Sequence, residues 1–199
     1  MQKTISYFAM PISPWTYLGH DKLRAIALRA HARIELKIMD LGQIFPATGG
    51  LPLAQRSPQR QAYRLQELAR WQQTTGLPLN IHPQYFPANP VLASLITLHL
   101  RDTVSTEAAL DFLGAALKAI WAQEKNIADE NVLTHLLQEL GHLPSLLSAA
   151  QSDANRAAFA ADTAQALANN VFGAPSYIVD QQLFWGQDRL DFVEKQLSL

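Results

Sequence analysis

Cysteine is absent from the 199-residue chain. Its absence removes structural disulfides, thiolate metal sites and cysteine nucleophiles at one stroke. Metal-ligand spacing is missing too. The six histidines (His20, His31, His82, His99, His135, His142) are scattered and form no H-E-x-x-H pair. No P-loop, G-x-G-x-x-G or G-x-S-x-G pattern occurs, which leaves a nucleotide-binding loop and a nucleophile-elbow hydrolase without support. No apolar run approaches the roughly 20 residues of a membrane span. The run Ile5 to Met10 is too short for a signal-peptide core and has no small-residue cleavage site behind it. A soluble, cytoplasmic protein with no membrane partner is the expectation. Strong net charge is also missing, at −1 overall, and the basic residues carry no interleaved aromatic stripe, so nucleic acid is not an expected partner.

The chain is 48% hydrophobic and 17% charged, enough apolar material for one large core and too much for disorder. Its charge is uneven. Residues 1–100 hold ten Lys and Arg against four Asp and Glu, while residues 101–199 hold six against thirteen. The first part is the better host for an anionic ligand.

Thr4 to Phe8 reads as a buried strand that stops at Met10-Pro11. Ser13-Pro14 comes next and opens a helix running to about Ala32. Ser is a preferred N-cap, and Pro suits the first helical position because its missing N–H would be unpaired there anyway. Ser13 therefore sits at the positive end of a helix just beyond a strand, a place suited to an anion, thiolate or carboxylate. Ile34 to Met39 alternates with the strand period. Strand, helix and strand in this span make a βαβ unit with parallel strands. Asp40 to Ser57 reads as a Gly- and Pro-rich loop whose apolar content favours a functional role. Ser57-Pro58 repeats the helix-start signature, and that helix should run to Thr75 and end at Gly76. Arg56, Arg60 and Arg64 lie near its start. They oppose the helix dipole unless an anion binds, and a solvated basic face is the simpler expectation.

A Pro-rich connector occupies 77–90. Residues 91–169 are almost wholly helical, with breaks at Asp102-Thr103, Asn126 to Asp129, Gly141 to Pro144 and Ser152-Asp153. Ser176 to Val179 and Leu183 to Trp185 then form a tight antiparallel hairpin, and a closing helix comes after Gly186-Gln187-Asp188. The fold class is α/β. The order βαβ, helical insertion, ββα is the thioredoxin-like arrangement, with residues 1–55 and 170–199 as the sheet domain and 56–169 as an all-helical insertion. In it the segment before the third strand approaches the segment after the first, so Ser13 and Ala174-Pro175 should be neighbours, with a cis bond expected at Pro175. Asp188 suits an N-cap for the last helix. Alternatively, Gln187 and Asp188 hold the ammonium and carboxylate of an amino-acid-like group. His20 is expected at the surface.

Ser13-Pro14-Trp15-Thr16-Tyr17-Leu18-Gly19 resembles the S-P-aromatic-small-aromatic-L-A/G motif of the 2-hydroxychromene-2-carboxylate isomerases and kappa-class glutathione transferases. Leu41 to Gly49 is similar to that family's L-G-G-I-F-K-A-T-G segment, and Tyr85 to Pro90 to its F-P-x-N segment. Val171 to Ser176 resembles V-F-G-V-P-T/S. Leu183-Phe184-Trp185-Gly186-Gln187-Asp188-Arg189-Leu190 resembles L-F-W-G-N/Q-D-R-L, the most specific block.

The resemblance implies a glutathione-dependent isomerase acting on a small conjugated 2-oxo acid. The alternatives are a kappa-like transferase or a glutathione-binding protein with altered catalysis. It implies glutathione as cofactor, a homodimer and five contacts. Ser13 would donate to the glutathione sulfur. Ala174, beside Pro175, would pair with the cysteinyl backbone. Gln187 and Asp188 would hold the γ-glutamyl end, and Arg60 would meet the glycyl carboxylate. The chain departs from the pattern at Pro46, Gly50 and Ser94, where the family has lysine, asparagine and, often, arginine. These are polar groups suited to an anionic substrate.

Overall fold

The structure, a computed structural model, describes residues 2–199. Four strands make one mixed sheet: β1 (Thr4–Ala9), β2 (Arg33–Ile38), β3 (Ser176–Val179) and β4 (Gln182–Trp185), in the order β2-β1-β3-β4. β1 runs parallel to β2, with Tyr7 opposite Leu36, and antiparallel to β3, with Tyr7 opposite Tyr177. β3 and β4 form the hairpin. The two chain ends thus build one sheet, as the element order requires.

Alternation along β1 sends side chains to both faces. Ile5, Tyr7 and Ala9 enter a large core with Leu18, Leu23 and Ile26 of α1 (Pro14–Arg29). Phe8, on the other face, joins Met10, Met39, Ile44 and Val171 in a smaller cluster. The large core does not stop at the sheet. It continues without a break into α4 (Val91–Thr103), α5 (Thr106–Gln123) and α6 (Glu130–Glu139), where Phe112, Leu113, Trp121 and Leu137 are wholly buried. α7 (Leu146–Ala150) and α8 (Asp153–Ala168) complete the helical segment, and α9 (Leu190–Leu197) returns to the sheet. The helix breaks fall at the positions expected from the sequence.

One element differs from expectation. The stretch after Asp40, expected as a loop, holds a helix, α2 (Leu41–Thr48). Asp40 caps it, its Oδ1 accepting from Gly42 N at 2.8 Å and its Oδ2 from Gln43 Nε2 at 3.0 Å. Gly49, at φ 76°, ends it in the left-handed conformation that glycine adopts at least cost. Pro46 inside the helix forfeits one backbone hydrogen bond. The cap and the full burial of Ile44 outweigh that loss.

His20 is a second correction. It is 2% exposed, inside the core rather than at the surface. Its Nε2 lies 3.0 Å from Leu110 O, which can only accept, so Nε2 carries the proton and Nδ1 accepts from Tyr7 Oη at 3.3 Å. Gly114 leaves room for the ring, since a Cβ there would stand 3.2 Å from it. Burial lowers the His20 pKa to about 4. The folded value lies below the unfolded one of 6.5, so this contribution to stability is complete above pH 6.5 and drains as pH falls through about 4. The full loss approaches about 3 kcal/mol. Urea unfolding at pH 7 and pH 4.5 should show a steep loss for wild type and a shallower one for His20→Gln. Equal losses would contradict the assignment.

Candidate active site

Ser13 sits at the junction of β1 and α1. Its backbone is extended (φ −75°, ψ 123°), Pro14 occupies the first helical position, and its Oγ accepts from Thr16 N at 3.2 Å. The same hydroxyl donates its one proton to Ala174 O, 3.2 Å away and 161 residues along the chain. The Ala174–Pro175 bond is cis, as expected. A second cis bond, Phe86–Pro87, lies in the connector, where none was expected. Ser13 is only 6% exposed, and Ala174 lines a cleft with a volume of about 740 Å³, within the range of small-molecule sites.

The cleft has three walls. One is the C-terminal end of α2 and the glycine-rich segment after it, with Phe45, Gly50 and Leu51. Opposite stand the hairpin and the turn after it: Trp185, Gly186, Gln187 and Asp188. The third is α3 (Pro58–Thr75), whose Arg60, Arg64 and Trp71 face in, with Arg56 just before it. Ser57 caps α3, its Oγ accepting from Arg60 N at 3.4 Å. Ala174, Gln187, Asp188 and Arg60 are therefore brought into one cleft. Ser13 reaches it through the Ala174 carbonyl. Pro175 lies just behind, its carbonyl accepting from Gly186 N at 2.9 Å.

Close backbone approaches hold this geometry. Gly19 is required on α1 because a Cβ there would stand 2.7 Å from Gln187 Cβ and 3.0 Å from the Tyr177 hydroxyl. Gly173 lets the Trp185 indole lie over the chain, since a Cβ would meet its Nε1 at 2.5 Å. Trp121 Nε1 donates to Ile12 O at 3.2 Å, tying α5 to the residue before Ser13.

Asp188 does not cap the last helix. Gln187–Arg189 form a single 3-10 turn, α9 starts only at Leu190, and no side chain caps it. The Asp188 carboxylate instead meets Arg189 at 3.0 Å on the cleft rim. Gln187 is buried. One of the departures, Gly50, has a physical reason. A Cβ on Gly50 would meet the Phe45 ring at 2.7 Å, so Phe45 occupies the space a side chain at 50 would need. Ser94 is buried, and its Oγ has no hydrogen-bond partner.

The basic face of α3 is not simply solvated. The Arg64 guanidinium lies 5.1 Å from the Phe86 ring centroid and 5.8 Å from that of Trp121. Its Nη2 is buried without a partner. Burial, reinforced by the Arg56 charge, lowers its pKa to about 10, so it stays a cation at neutral pH. Sequence reasoning identifies the residue but not its setting, because Phe86 and Trp121 come from distant segments. Trp15, Phe45, Phe172 and Trp185 lie within the motifs that carry the resemblance, whereas Trp71 has no sequence signal that marks it as a cleft wall. An aromatic-walled cleft with four arginines, three of them paired with no carboxylate among the described residues, suits an anionic ligand.

A model of the DSBA-like thioredoxin domain matches residues 4–198. The chain is 31% identical over 201 residues to the 2-hydroxychromene-2-carboxylate isomerase of Sphingobium xenophagum, covering 99% of each. It is 24% identical over 189 residues to that of Pseudomonas putida, covering 94% of this chain and 90% of that one. A solved 2-hydroxychromene-2-carboxylate isomerase superposes with a TM-score of 0.81 at 23% identity, over 98% of this chain and 94% of that one. The sheet order, the cis-proline opposite the start of the first helix and a match spanning nearly the whole chain agree, and this chain belongs to the DSBA-like thioredoxin domain family.

Proposed function

We propose that the protein is a glutathione-dependent isomerase of the 2-hydroxychromene-2-carboxylate type, interconverting the chromene and trans-o-hydroxybenzylidenepyruvate. The observation that carries this reading is the placement of Ser13. A hydroxyl at a helix N-terminus, in a chain without cysteine, adjoins a cleft large enough for a tripeptide and a small acid. The relatives named as this isomerase support the choice of reaction.

The residues fit glutathione. Arg56 and Arg60 pair with no carboxylate among the described residues, leaving positive charge for an anionic tripeptide. Bound glutathione would supply the sulfur that adds reversibly to the conjugated double bond of the oxo acid, allowing rotation before it leaves. The chain's own residues bind and orient. The Ser13 hydroxyl turns from Ala174 O to donate to the sulfur, and the N–H groups opening α1 add positive potential there, the arrangement that lowers a thiol pKa. The freed Ala174 carbonyl accepts from the cysteinyl N–H. Gln187 and Asp188 receive the γ-glutamyl end, and Arg60 the glycyl carboxylate. Trp15, Trp71 and Trp185 wall off water from the reacting bond.

Calorimetric titration with glutathione, followed by a spectrophotometric assay of chromene interconversion with and without it, tests the reading. Binding together with glutathione-dependent turnover is expected. No binding at millimolar glutathione would overturn it. The absence of polar side chains at Pro46 and Gly50, the latter in the cleft lining, favours a second reading, a transferase with a different electrophile. In that case glutathione would bind while the chromene was not turned over.

A further inference from the structure

Arg64 is unlike the other three arginines of the cleft, of which Arg189 is paired with Asp188. Arg60 is exposed in the first turn of α3. Arg56 already donates its Nε to Leu51 O at 2.9 Å and lies 5.6 Å from the Phe45 centroid. Arg64 stands one turn further along α3, packed against two aromatic rings, with Nη2 buried and unpaired. The carboxylates that share the cleft are engaged elsewhere: Glu67 pairs with Arg70, and Asp188 with Arg189.

A buried donor without a partner costs about 1–3 kcal/mol, and more when charged. The two cation–π contacts offset part of that cost, and a leucine or methionine in the same aromatic setting would carry none of it. What the arrangement does provide is recognition. The rings pack against the guanidinium and bury its Nη2, and the rest of the group lines the cleft, where it presents a positioned cation to a carboxylate. The Trp15 and Trp71 indoles in the cleft wall offer a flat surface to a flat ligand.

We infer that Arg64 is the specificity-determining residue that binds the carboxylate of a planar, conjugated 2-oxo acid, in a subsite separate from the one served by Arg60. This assignment rests on the isomerase reading of the cleft and adds to it the residue that selects the second ligand. Arg60 takes the anionic end of the first ligand near the N-terminus of α3, and Arg64 takes the acid one turn further on.

The test uses trans-benzylidenepyruvate, the oxo acid without its phenolic hydroxyl, titrated into wild type, Arg64→Leu and Arg64→Lys with tryptophan fluorescence as the readout. Glutathione is titrated separately by calorimetry. Arg64→Leu should weaken benzylidenepyruvate binding by at least tenfold and leave glutathione affinity within twofold. Its melting temperature should hold or rise, because an unpaired buried charge is gone. Arg64→Lys should recover part of the affinity, having charge without the planar guanidinium. Three results would overturn the inference. The first is benzylidenepyruvate binding the leucine variant as tightly as wild type, or failing to bind wild type. The second is a fall in glutathione affinity in step with that of the acid, which would assign Arg64 to glutathione. The third is a leucine variant that melts earlier with both affinities reduced, which would make the arginine structural. Should the protein bind benzylidenepyruvate through Arg64 yet leave the chromene unchanged, the isomerase reading fails while the carboxylate subsite stands.

Discussion

Ser13→Ala is expected to reduce glutathione-dependent turnover by roughly 10²–10³-fold while the protein stays folded. The size is that of losing one preorganised donor to a developing or resident anion in a site removed from water. The structural cost is smaller. The hydroxyl caps α1 through Thr16 N and donates to Ala174 O, and losing a serine cap costs on the order of 1 kcal/mol. Pro14 still fixes the start of the helix. The loss should appear in kcat more than in the glutathione KM, because Gln187, Asp188 and Arg60 would still hold the tripeptide. Steady-state kinetics at saturating glutathione, with the melting temperature as control, separates the two effects. An alanine variant as active as wild type would remove the serine from the chemistry.

Asp162→Ala is expected to lower unfolding stability by about 2–3 kcal/mol, chiefly by leaving the buried Ile38 N–H without its acceptor. Asp162 projects from α8 and is 4% exposed. Its Oδ2 accepts from Ile38 N at 2.9 Å and from Arg101 Nη1 at 2.6 Å, and Lys37 Nζ lies 3.7 Å from Oδ1. Arg101 Nη1 also donates to Leu36 O at 3.0 Å, and Thr163 Oγ1 accepts from Asp40 N at 3.0 Å. β2 is an edge strand, and this cluster gives its outward backbone groups partners from α4 and α8. Alanine at 162 would leave Arg101 paired only with Asp102, Lys37 only with Glu35, and Ile38 N–H without an acceptor. Asp162→Asn keeps the acceptor and should lose less. Chemical denaturation of the three proteins at pH 7 decides the matter. A loss below about 1 kcal/mol for the alanine variant would mean the cluster is solvated in practice.

Much of the fold and of the cleft was legible in the sequence, and the reasons are local. Ser13-Pro14 and Ser57-Pro58 start helices because cap and proline act within one turn. Gly76, at φ 68°, ends α3 for an equally local reason. The hairpin after Ser176 comes from two short apolar runs with a turn between them. Element order then brings Ser13 to Ala174.

What escaped depends on contacts between distant segments. α2 contains a proline and precedes a Gly-Gly pair, so propensity alone reads it as a loop. The burial of Ile44 against Phe8 and Ala166 makes it a helix. His20 looks like a surface residue until α5 presents Leu110 O and the space over Gly114. Arg64 looks like part of a solvated face until Phe86 and Trp121 close around it. Asp188, an apparent helix cap, is diverted because Gly186, at φ 103°, leads into a tight turn before α9.

The proposed role of Ser13 and the start of α1 is to hold a ligand thiol in its ionised form. The most direct measurement is the ultraviolet thiolate absorbance of bound glutathione, titrated against pH in wild type and Ser13→Ala. An unperturbed thiol has a pKa of about 8.5. Bound glutathione is expected to titrate at least one unit below free glutathione in wild type and to move back toward the free value in the alanine variant. A bound thiol that titrates where free glutathione does, in both proteins, would contradict that role.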